Sequence, residues 1–211
     1  MRSTSHFASG YLGSVPTPAK ATRADSLHSR QKLLDALGRL LEHRGLDVTL
    51  PELAREAGVS TATAYRHFTD VDELRTEFYN RIFDRVIRAM DELAGEYSGL
   101  ELFYRLCQTW VELELPWARA ATYIRSAEGI LERVGRGEAL SSSYHRIVTG
   151  VLEQLIADGV VPAQDTDYAA LLWLTIFDER VFIDLHTAKG LGAYEISHLL
   201  GSSLLAALKN G

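Results

Sequence analysis

Apolar residues recur three and four apart along most of the chain. Leu33, Leu34, Leu37, Leu40 and Leu41 make the first such run. Their spacing predicts a helix that Ser26 caps and Gly45 ends. Thr49 is a second capping candidate, with Pro51 in the first turn, where its missing N–H costs little. Leu53, Ala54 and Ala57 give this short helix a buried side. Gly58 ends it, Val59 fills the corner and Ser60 caps the next helix, whose inward residues are Ala64 and Phe68. Leu74, Phe78, Ile82, Val86, Met90 and Leu93 then predict one long helix over 70–97. Further helices are predicted over 100–115, broken at Pro116, over 139–157, over 165–186 and over 194–209. No alternation long enough to argue for a sheet interrupts this pattern, so the expected fold is all-α.

The stretch "GVSTATAYRHF", Gly58 to Phe68, departs from the rest. With Ala64 and Phe68 turned inward, Thr61, Ala62, Thr63, Tyr65 and His67 remain on the surface of a helix too polar to serve a core. Two short helices joined at a glycine, with small Ala54 and Ala64 where they cross, make a helix-turn-helix. In such motifs the second helix enters the DNA major groove by its N-terminal residues, which is the role expected of this one. Threonine can meet base edges, phosphates and thymine methyls, while tyrosine and histidine suit phosphate oxygens.

Charge supports this placement only by its distribution. The chain has 211 residues and a net charge of −6. Residues 1–22 carry +2, residues 23–90 are balanced at 11 basic and 11 acidic, and residues 91–211 carry −8. The acid therefore lies away from the polar helix. The Ser-, Thr-, Gly- and Pro-rich residues 1–22 read as a flexible arm without the apolar core of a signal peptide. The lone Cys107 excludes an internal disulfide and favours a reducing compartment, so a cytoplasmic location without membrane contact is expected.

The segment "LLDALGRLLEHRGLDVTLPELAREAGVSTATAYRHFTDVDELRTEFYNRIFD" resembles the N-terminal domain of TetR-family transcriptional regulators. The resemblance implies a three-helix DNA-binding domain over 23–69, a long fourth helix, and a ligand-binding and dimerisation domain over 70–211. It implies phosphate contact by Thr49, base or backbone contact by Ser60, Thr61, Ala62 and Thr63, and phosphate contact by Tyr65 and His67, with Arg66 beside them. One departure is plain. Where the family commonly has a lysine in "FxSKxxL", this chain reads "FTDVDEL", with Asp70 and Asp72 flanking Val71. These acids suit a helix N-terminus and repel phosphate, leaving Lys20, Arg23 and Arg30 to supply positive charge.

The C-terminal half is aromatic and holds all three tryptophans, which suits either a core or a largely apolar ligand pocket. The resemblance favours the pocket and nominates Phe103, Cys107, Trp110, Trp117, Tyr123, Tyr144, Trp173, Thr175, Phe177 and Asp178. "TIFDERVF" is similar to a pocket-wall segment of the mycobacterial ethionamide-resistance regulator, in which Asp178 would replace a ligand-contacting asparagine. Facing a cavity, Asp178 would favour a cationic or hydrogen-bond-donating ligand, or be protonated. Glu179 and Arg180 are expected to pair across a dimer interface. The apolar last helix is expected to need a symmetry mate for cover.

The seven histidines are scattered, and no HExxH, GxSxG, Walker or GxGxxG pattern occurs. No catalytic residue, metal or cofactor is expected. The sequence reads as a homodimeric repressor that binds a palindromic operator and is released by a small effector. The alternative is a small-molecule carrier whose helix-turn-helix has lost its DNA affinity.

Overall fold

The computed structural model describes residues 23–45, 47–124 and 128–210. Within them the fold is built from eleven α-helices and one 3-10 turn. The predicted arm, residues 1–22 with Lys20, lies outside the described residues, as do the side chains of Arg23 and Tyr123.

Helix α1 (Arg23–Arg44) starts three residues before the expected cap. Ser26 is therefore inside the helix, where nothing in the sequence obliges the first turn to stop. Leu33, Leu34, Ala36, Leu37 and Leu41 form its buried stripe. Helix α2 (Leu50–Glu56) is fixed by a capping box, in which Thr49 and Glu52 satisfy each other's backbone N–H groups. Helix α3 (Thr61–His67) follows the Gly58 turn, and α4 (Val71–Glu96) runs from the cap of Asp70 to Tyr97.

Eight elements follow. Helix α5 (Gly99–Glu114) stops just before Pro116, within a residue of the expected bounds. Residues Leu115–Trp117 turn through 3-10 geometry, which accommodates a proline at its second position, into α6 (Ala118–Ile124). Helices α7 (Ile130–Gly135) and α8 (Ala139–Ala157) come next. The expected helix over 165–186 is two helices, α9 (Thr166–Ile176) and α10 (Glu179–Lys189). Asp178 separates them: its carboxylate accepts the Arg180 N–H at 2.9 Å and caps α10. The last helix is α11 (Ala193–Lys209).

Two hydrophobic cores result. The smaller joins α1, α2 and α3 to Leu74, Phe78 and Ile82 of α4 and to Ala120 of α6. The larger begins at Phe83 on the same helix and includes α5, α8, α9 and α11. Helix α4 therefore belongs to both. Most of the apolar stripe of α11 is covered inside the chain, with Leu199 left exposed. Ile196, Leu200, Leu204, Leu205 and Leu208 are buried in the larger core. Gly201 lets α11 approach α5: a Cβ there would lie 3.3 Å from the Cys107 sulfur. No helix of the described residues is long and apolar enough to cross a membrane.

Candidate nucleic-acid interface and ligand cleft

The short α2 and α3 are locked together by their turn and by two alanines. Gly58 sits at φ +65°, a left-handed conformation that a side chain opposes. It lets the Gly58 N–H reach the Arg55 carbonyl at 3.2 Å and the Val59 N–H reach the Ala54 carbonyl at 2.9 Å, which satisfies the end of α2. Ala54 and Ala64 are both buried at the crossing, and Phe68 closes the core beneath.

The candidate DNA residues then fall into two groups. Thr61, Ala62, Tyr65 and Arg66 are exposed on α3, and Tyr65 is 54% exposed despite its large ring. The others serve the fold as well. Thr49 caps α2 and donates its hydroxyl to Glu52 at 2.9 Å. Ser60 caps α3 by accepting the Thr63 N–H at 3.1 Å, and its hydroxyl lies 2.8 Å from that of Thr63. His67 is half-buried, with its Nε2 buried and unpartnered among the described residues. Burial, then the neighbouring Arg66 and Arg30, lower its pKa, so the ring is held neutral.

Arg30 is not a spare cation. It donates from Nε to Glu77 on α4 at 2.9 Å, pairs a second time with that carboxylate through Nη2, and donates from Nη1 to the His67 carbonyl at 2.9 Å. Its guanidinium lies 4.4 Å from the centre of the Phe68 ring. The Glu77 hydrogen bonds raise its pKa above the ordinary arginine value. The sequence pattern offered no signal for Glu77, a polar residue 47 positions away from its partner.

The acids of "FTDVDEL" are engaged in starting α4. Asp70 accepts the Glu73 N–H at 2.8 Å, Glu73 accepts the Thr69 N–H at 2.6 Å, and Asp72 pairs with Arg75 at 2.6 Å. This is the chemistry of a helix N-terminus that needs acceptors and negative charge.

In the C-terminal half a cleft of about 780 Å³ opens between α4, α5, α9 and α10. Of the nominated pocket residues, Trp110, Thr175 and Asp178 line it. Phe103, Cys107, Tyr144, Trp173 and Phe177 are packed in the larger core instead. Burial pushes the Cys107 thiol well above its ordinary value and keeps it protonated. Trp117 is elsewhere, edge-on to Phe78 at 5.3 Å beside the smaller core. Tyr79, Phe83, Ile130, Leu171, Leu174 and Val181 supply the rest of the apolar wall. Tyr79 and Phe83 lie just off the apolar stripe of α4, and this second pair at i and i+4 was the available signal for them. Asp178 faces no cation vacancy: Arg180 of the same chain holds both carboxylate oxygens at 2.8 and 2.7 Å. Within the chain, Arg180 is thus engaged with Asp178. Trp110 is buried, and its indole N–H has no partner among the described residues.

Comparison with known proteins agrees with this architecture. Residues 33–78 match the family described as bacterial regulatory proteins, tetR family. An HTH-type transcriptional regulator of Staphylococcus aureus (strain bovine RF122 / ET3-1) is 24% identical over 78 residues. That alignment covers 36% of this chain and 42% of the relative, so the chain spans less than half of that protein's length. The crystal structure of FadR from Bacillus subtilis in complex with stearoyl-CoA superposes with a TM-score of 0.67 at 18% identity. It covers 83% of this chain and 97% of its own. A TetR/AcrR-family regulator from Thermobifida fusca YX-ER1 gives a TM-score of 0.65 at 18% identity, over 83% and 96% of the two chains. At such identities the solved structures establish the fold of the C-terminal half and not its ligand. The matched residues, the helix-turn-helix geometry and the shared fold together show a tetR-type DNA-binding head over residues 33–78, set in an all-helical fold like that of TetR-family structures.

Proposed function

We propose that the protein is a cytoplasmic, homodimeric repressor that binds a palindromic operator and leaves it when an effector occupies the cleft. The observation that carries this reading is the exposed face of α3. Thr61, Ala62, Tyr65 and Arg66 are exposed there, side by side on a helix whose only buried residue is Ala64. Tyr65 and Arg66 are suited to phosphate oxygens, and Thr61 and Ala62 lie at the helix N-terminus, where base edges are met.

A dimer is supported by apolar side chains left outside both cores. Tyr168 and Leu171 on α9 and Leu199 on α11 are exposed. Two copies joined through these helices would make a four-helix interface and pair the heads for two half-sites. For the effector, the cleft offers a wall of Tyr79, Phe83 and Trp110 and one buried N–H donor. It suits a largely apolar molecule with an acceptor group, and a long acyl tail, such as the one FadR of Bacillus subtilis holds, is a ligand of that kind. The effector must bind the DNA-incompetent state more tightly than the competent one.

The carrier reading drew its motive from the acids after Phe68. With those acids engaged in starting α4, no feature favours it. The deciding experiment is titration of the purified protein into labelled DNA from upstream of its own gene at two salt concentrations. Saturable, salt-sensitive binding that a Tyr65→Ala, Arg66→Ala variant loses supports the repressor. Absence of any bound operator, there and in a genome-wide selection, overturns it.

A further inference from the structure

A second opening lies on a different face of α4 from the cleft. It is a groove of about 860 Å³ between α1 and α4, closed at one side by Trp117. Its size falls within the range of roughly 300–1,000 Å³ in which small-molecule sites lie. Leu34, Gly38, Phe78, Ile82 and Trp117 contribute its apolar lining. The packing beneath is tight: a Cβ on Gly38 would lie 3.1 Å from the Trp117 ring and 3.2 Å from that of Phe78. Two aromatic rings set nearly at right angles and fixed by this packing therefore line the groove.

The rim carries a different chemistry. Arg81 and Arg85 line the groove from α4, one turn apart and both exposed. Among the described residues neither has an ion-pair or hydrogen-bond partner. The other two arginines of the lining are occupied, Arg88 by Asp84 at 2.7 Å and Arg39 by Glu56 at 3.1 Å. Three acids also line the groove: Asp84, which is paired with Arg88, and Asp35 and Glu92. Asp35 accepts the Gln31 amide at 2.6 Å, and Glu92 lies seven residues beyond Arg85, about 10 Å along the helix. Like charges at i and i+4 oppose each other on a helix, and an anion between them reverses the sign of that interaction. Arginine forks also match the planar oxygens of carboxylate, sulfonate and phosphate.

We propose that this groove is a second small-molecule site, selective for an anionic amphiphile. Its apolar body lies on Phe78 and Trp117, and its acid group is held by Arg81 and Arg85. The site is independent of the effector cleft. Its occupant would touch α1 of the head and α4 at once.

The test uses two fluorescent probes of one shape, 8-anilinonaphthalene-1-sulfonate and its neutral analogue N-phenyl-1-naphthylamine, titrated into the full chain. An Arg81→Gln, Arg85→Gln variant should weaken one class of sulfonate site by at least tenfold and leave the neutral probe unchanged. Because both side chains are exposed and unpaired, this variant keeps the fold. Ala89→Trp, which fills the groove from α4 and keeps both arginines in the chain, should remove the same sulfonate site. A sulfonate isotherm that the arginine variant does not alter overturns the proposal. So does equal weakening of both probes, because the acid group then makes no difference.

Discussion

Arg30 on α1 and Glu77 on α4 form a two-pronged ion pair at the point where the recognition helix ends. The third reach of the same guanidinium, to the His67 carbonyl, ties α3 to both helices. Arg30→Ala should cost about 1–3 kcal/mol, because it removes charged hydrogen bonds from a half-buried site. Arg30→Lys keeps the charge but not the fork, and should recover only part. A double-mutant cycle with Glu77→Ala, read by chemical denaturation, should return a coupling of about 0.5–2 kcal/mol. Additive single effects would show that the pair is incidental.

Tyr65 and Arg66 stand outside both cores, so their loss should separate binding from stability. Tyr65→Ala and Arg66→Ala should each weaken operator binding by about tenfold, with unfolding free energy changed by less than about 0.5 kcal/mol. The Arg66 variant should also flatten the salt dependence by roughly one phosphate contact. Fluorescence anisotropy over a salt series measures both quantities.

The neutral state of His67 makes the head sensitive to acid. Burial and nearby arginines lower the folded-state pKa below its ordinary value of 6.5. The unfolded chain therefore takes up this proton first as pH falls. The contribution to stability is present above the ordinary value and is lost as pH falls through the folded one. Denaturation midpoints at about pH 7.5 and about pH 5.5 should differ less in His67→Gln than in the natural chain. An unchanged difference would rule out His67 as the group responsible.

Gly58 tests the turn by itself. A Cβ there would meet nothing within 4 Å, so Gly58→Ala adds backbone strain without a clash. The expected cost is about 1–2 kcal/mol, with Gly58→Asn milder. At Gly201 the cause is the opposite. Its φ is ordinary, but Cys107 and Tyr104 lie close, and Gly201→Val should cost about 1–3 kcal/mol by overpacking. Melting curves of the two variants distinguish the causes if Cys107→Ala eases only the second.

Local chemistry was the legible part of this chain. Thr49 and Ser60 could be assigned as caps from residue type and position alone, and the 139–157 helix from periodicity. The N-cap role of Asp178 was not legible, because a helix apolar on most sides hides a break that only one carboxylate marks. Periodicity also tells inside from outside but not which inside. Trp110 and Tyr144 pack ring against ring at 5.3 Å, yet only Trp110 reaches the cleft. Long-range pairs such as Arg30 and Glu77 leave no trace in spacing at all.

Because α4 is embedded in two cores, it behaves as a rigid lever. Leu74 lies in one core and Met90 in the other, and 16 residues of helix separate them by about 24 Å. Pivoting about Met90, each degree of tilt carries the far end through about 0.4 Å. A tilt of roughly five degrees would displace a head by about 2 Å, and opposite movement in two subunits would double that against a half-site spacing of about 34–36 Å. If the proposed effector loosens one wall of the cleft slightly, that movement would be magnified into a misfit between protein and groove, without any element having to unfold.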